Sequence, residues 1–81
     1  MTLEEAREKI KPGKPAWAWN FRDNLMEELE IRGAPYITYA GRLVVPIYIA
    51  RTCVEMNLAC DRIRTTKEEM ILLALKHRGQ K

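Results

Sequence analysis

The sequence predicts a small single-domain α+β fold: four helices and one β-hairpin in the order α-α-β-β-α-α, with the third helix central. Three observations predict it. Threonine-led capping boxes open helices near both ends of the chain. A β-branched and aromatic stretch surrounds Gly41. A run from about 47 to 61 is apolar around most of a helix's circumference.

Thr2 followed by Glu5 is the first capping box, and Leu3, Ala6 and Ile10 recur on one face, giving a helix over about 2–10. Pro12 disfavours helix at Lys11, so residues 11–15 redirect the chain. Trp17, Phe21, Leu25 and Leu29 recur every four residues, and Asn20 with Asp23 resembles a helix start. A second helix over about 19–32 follows, stopped by Gly33. Tyr36, Ile37, Thr38 and Tyr39 precede Gly41, and Val44 and Val45 follow it, so residues 36–40 are expected to pair with 42–46 around a tight turn. Pro46 suits the first turn of a third helix, about 47–61. Thr65 with Glu68 and Thr66 with Glu69 open the fourth, about 66–78, with Met70, Ile71, Leu73, Ala74 and Leu75 on its buried face and Gly79 as its stop.

The whole chain of 81 residues reads as one domain, with 47% apolar residues. No apolar run reaches the roughly 18–20 residues of a membrane span. With no basic, apolar leader at Met1, a soluble cytoplasmic protein is expected. Cys53 and Cys60, two turns apart if helical, cannot bridge one another and read as buried free thiols.

Chemistry is sparse. His77, the one histidine, reads as a solvated cation at a helix end. Two cysteines and one histidine fall short of a four-ligand metal site, so no metal and no cofactor are expected. The pairs Glu4-Glu5, Glu27-Glu28 and Glu68-Glu69 read as capping or solvated surface, and serine is absent. An enzyme is not expected.

Binding is expected instead, by a small regulator, inhibitor or adaptor. A small chain with two Trp, three Tyr and four Met has little interior in which to hide them. Trp17, Trp19, Tyr39 and Arg42 are the candidates for a contact with a protein partner or a second copy of the chain, through the aromatic side chains and an open hairpin edge. The alternative is nucleic acid, through Lys11, Lys14, Arg42, Arg62 and Arg64, supported by a net charge of +3. Against it, Glu68 and Glu69 occupy the helix turn that would face phosphates in a helix-turn-helix.

Overall fold

The computed structural model of the chain describes residues 1–78. Two helices flank a five-stranded antiparallel sheet: α1 (Leu3–Lys9), β1 (Ala16–Asn20), β2 (Leu25–Ile31), β3 (Tyr36–Ile37), β4 (Leu43–Ile49), β5 (Val54–Ala59), a 3-10 turn (Cys60–Arg62) and α2 (Lys67–Arg78).

Strand β4 is the hub. Its one edge carries β5 from Ile49↔Val54 to Val44↔Ala59. Its other edge carries β2 at Ile31↔Ile47 and β3 at Ile37↔Leu43, end to end. Strand β1 lies outside β2, in register from Ala16↔Leu29 to Asn20↔Leu25. The chain beyond β5 then returns to β1: Trp17 N donates to Arg64 O at 2.8 Å and Arg64 N to Trp17 O at 2.7 Å. A single bridge thus joins the segment after β5 back to β1, and the sheet curls into a small, incompletely closed barrel.

Inside it lie Ala16, Ala18, Leu29, Ile31, Val45, Ile47, Leu58, Cys60 and Ile63. Successive strand residues point to opposite faces, so the small Ala16 and Ala18 face inward while Trp17 and Trp19 face out. Ala6 and Ile10, no more than 1% exposed, join the same core and plug one end. Thr2 caps α1 as expected, its hydroxyl accepting from Glu5 N at 3.2 Å, and Arg7 Nε donates to Pro35 O at 3.2 Å. Helix α2 lies against β1, capped by Thr66, which accepts from Glu69 N at 3.2 Å.

Two expected helices are strands, and among the described residues no helix is central. Over 19–32 the chain forms the end of β1, a turn and β2. The spacing of four that fits a helix spans two strands and a turn, with Trp17 facing out of β1 and Leu29 facing in from β2. The Asn20 signal is a turn: Asn20 Oδ1 accepts from Arg22 N at 2.9 Å and Asp23 N at 3.0 Å, as an N-cap would. Asn24 then takes φ 54°, which reverses the chain instead of continuing a helix.

Over 47–61 the chain forms the second half of β4, a turn, β5 and the 3-10 turn. Ile47 and Ile49 of β4 and Leu58 of β5 face the interior, whereas Val54 and Met56 are partly exposed, so the apolar run belongs to two strands and not to one helix. The turn over 50–53 carries no glycine; Cys53 supplies the positive φ of 54°. Cys53 is exposed and only Cys60 is buried, where burial pushes its thiol pKa up. Gly33 closes no helix; it lies in the break between β2 and β3.

Pro46 sits within β4 rather than at a helix start. In an extended residue the N–H and C=O point to the same side. Pro46 O accepts from Arg32 N at 2.9 Å, so its protonless nitrogen faces residues 33–35, where the neighbouring strand is interrupted.

The pairing of Tyr36–Ile37 with Leu43–Val44 is short, and β4 runs well past 46. At its tip Gly41 has φ 81° and donates to Thr38 O at 2.8 Å. A β-branched residue resists that conformation. Gly41→Val is expected to cost about 1–2 kcal/mol, read as a lowered midpoint of chemical denaturation. The Gly79 stop lies outside the described residues. No helix among the described residues is long and apolar enough to cross a membrane.

Candidate functional site

With α1 plugging one end of the barrel, the other end is open. There Ala18, Leu29, Ile47, Ile49 and Leu58 form the floor of a groove of about 430 Å³. Phe21, Val54 and Met56 rim it, 64%, 42% and 43% exposed. Among the described residues no strand pairs with the outer edge of β5. Its first four residues are exposed on both faces, Asn57 among them, which leaves an apolar strand face in water.

One polar cluster ties the two hairpins at this end together. Glu27, 4% exposed, receives Arg51 Nε at 2.9 and 3.2 Å, a further bond from Arg51 Nη2, and Asn20 Nδ2 at 3.0 Å. Arg51 Nη2 also donates to Asp23 Oδ2 at 2.6 Å. These hydrogen bonds hold the Glu27 and Asp23 carboxyls below their usual range, against partial burial, which pushes the other way. The bonding capacity of the cluster is spent on holding the turns over 20–24 and 50–53. Adjacent Glu27 and Glu28, read from sequence as one solvated pair, are separated by the strand alternation: Glu27 faces in and Glu28 out.

A second, smaller groove of about 200 Å³ lies where α2 crosses β1. The His77 ring stacks on Trp19, centroids 5.0 Å apart and planes at 17°, and meets Phe21 edge-on at 5.0 Å. His77 is therefore packed between aromatic rings, not simply solvated at a helix end. Arg62 Cζ sits 5.4 Å from the Phe21 ring centre, and its Nη2 donates to Trp19 O at 3.1 Å. Arg64 Nη1 donates to Asp61 O at 2.7 Å. On α2, Met70, Leu73, Ala74 and His77 are half-buried, whereas Ile71, Leu72 and Leu75 are exposed, so the expected buried face is rotated.

The residues selected from sequence fall in several places. Trp19 is buried beneath His77, and Trp17 is half-buried in the pairing with Arg64. Tyr39 and Arg42 are exposed at the β3–β4 turn, apart from the tryptophans. Lys11 and Lys14 are exposed in the turn before β1. Only Arg62 and Arg64 of the basic set come together, with Lys76 beside them. A helical pattern over 19–32 and 47–61 does not reveal Phe21, Val54 and Met56 as groove residues, and Lys76 joins the site only through the docking of α2.

Fold and site together define a small barrel open at one end, with an unpaired strand edge beside an apolar groove. Compared with known proteins, the chain matches no family model, no curated protein and no solved structure.

Proposed function

We propose that the protein is a small non-enzymatic binding module, a regulator, inhibitor or adaptor, that takes an extended segment of a partner protein along the free edge of β5. The carrying observation is that edge, with Val54 and Met56 half-exposed beside the 430 Å³ apolar groove. An added strand would gain main-chain hydrogen bonds along the edge and place every second side chain against Phe21, Val54 and Met56. A second copy of the chain offers the same edge, and antiparallel β5–β5 pairing is the homodimeric form of this reading. A reducing cytoplasmic setting belongs to the same proposal, supported by two free cysteines, one of them exposed.

Selection from a displayed random peptide library tests it, alongside sedimentation of the protein alone. The wild type is expected to enrich extended sequences with apolar residues at alternate positions. Met56→Lys is expected to weaken their binding at least tenfold while leaving the fold intact. A stable wild-type dimer that Met56→Lys dissociates would identify the homodimeric form. No enrichment from a protein that remains monomeric would reject the proposal.

A further inference from the structure

The groove between β1 and α2 shares Trp19, Phe21 and Arg62 with the apolar one and adds Arg64, Lys76 and His77. We propose that it is a second binding site, for single-stranded nucleic acid, in which Phe21 stacks on a base and Arg62, Arg64 and Lys76 receive the backbone phosphates.

Charge carries the first part of the argument. Arg62 and Arg64 are anchored by hydrogen bonds to the carbonyls of Trp19, Asp61 and Ile63. Those acceptors are neutral, so they fix the guanidinium groups in place without cancelling their charge. Among the described residues none of Arg62, Arg64 and Lys76 forms an ion pair. One carboxylate shares the groove, Asp61, and it lies 4.0 Å from the N-terminal amine. The groove therefore holds three cations against one partly compensated anion. Held guanidinium forks suit phosphate oxygens.

The aromatic groups carry the second part. Phe21 is 64% exposed, yet its ring is positioned by a perpendicular contact with His77 and by Arg62, whose guanidinium lies over one of its faces. His77 is in turn fixed on Trp19, a buried side chain of β1. An exposed ring held by its neighbours is a ready stacking platform, and a ring flanked by phosphate-binding cations is the pattern of single-strand recognition. A duplex hides its base faces, so Phe21 points to a single strand. The site is a compact one on the barrel, set apart from Lys11, Lys14 and Arg42.

The experiment is fluorescence anisotropy of a labelled fifteen-nucleotide oligothymidine titrated with the full chain at 50 and 200 mM salt. Three phosphate contacts predict that affinity falls by about 20-fold between those salts. Phe21→Ala is expected to weaken binding about tenfold. Because Phe21 is largely exposed, the variant keeps the fold, which circular dichroism checks. Arg62→Gln with Arg64→Gln is expected to lose at least tenfold and to flatten the salt dependence. Lys14→Gln, outside the groove, is expected to bind as the wild type. Absence of binding at 50 mM salt overturns the proposal. So does binding that ignores Phe21→Ala, or a duplex or heparin bound equally well, since each would mean unspecific attraction to polyanions. Met56→Lys, on the apolar groove, should leave oligothymidine binding in place, which separates this site from the strand-binding one.

Discussion

Ile47→Ala is expected to remove about 3 kcal/mol of stability. Ile47 is 1% exposed, pairs with Ile31 on one side and Met56 on the other, and belongs both to the core and to the floor of the open groove. Truncation removes buried methyl groups, and strands on both edges of β4 prevent the wall from collapsing into the space. For a domain of this size the unfolding midpoint should fall by roughly 12–24 °C. Ile47→Val, which removes one methylene, should cost only about 1 kcal/mol. Urea denaturation with an unchanged slope checks both. A loss below about 1 kcal/mol for the alanine variant would mean that Ile47 is already wetted from the open end and is no part of a packed core.

The second large effect is expected from Glu27 and from acid. Glu27→Ala leaves Arg51 without its main partner and Asn20 without an acceptor, uncoupling the two hairpin turns. Because Arg51 is half-exposed and can recover water, the loss should be about 2 kcal/mol, below that of a fully buried pair. The pH dependence has a definite sign. The Glu27 and Asp23 carboxyls have their folded-state pKa held below the ordinary values of 4.5 and 3.8. Their contribution is therefore fully present above those values and is lost as pH falls through the lower, folded-state ones. Denaturation midpoints measured at pH 7 and at about pH 3 should show the wild type losing more stability than Glu27→Gln. Equal losses would mean that the carboxylate is not held by Arg51 in solution.

The ends of the chain were legible in the sequence because their signals are local. Thr2 with Glu5 and Thr66 with Glu69 mark helix starts through hydrogen bonds that span three residues and need no tertiary help. The pairing around Gly41 was legible for the same reason, since its positive φ is a property of the turn itself. The middle was not. Met26, Glu27, Glu28, Leu29 and Glu30 are good helix formers, yet they lie in β2 between two neighbouring strands, where burial and pairing outweigh intrinsic preference. The inward residues Glu27, Leu29 and Ile31 do alternate with Glu28 and Glu30, but a buried glutamate among them obscures the pattern. Its partner, Arg51, lies in another hairpin, so nothing nearby in sequence announces the ion pair.

The apolar stripe from 47 onward failed for a different reason. Its apolar residues come from two strands, Ile47 and Ile49 in β4 and Val54, Met56 and Leu58 in β5, and short apolar runs of this kind cannot be told from a buried helix by periodicity alone. The turn that would have separated them uses Cys53 where glycine or asparagine is the usual signal. A helical reading of 19–32 and 47–61 puts Phe21 and Met56 on helix faces and hides both grooves. Arg62 and Arg64 were found because they are close together in the chain; Lys76 and His77 join them only through the docking of α2.

The closure of the barrel by Trp17 and Arg64 has a kinetic consequence. The β1–β2 and β4–β5 hairpins each span short loops and can form within microseconds of one another. The pairing of Trp17 with Arg64 joins segments from opposite ends of the chain, and its loop-closure entropy is recovered only once both hairpins are docked. The seam, and the aromatic stack that α2 lays over it, are therefore expected to form last on the folding path. By the same reasoning they are expected to open first, so that unravelling would begin at the surface proposed to hold a single strand.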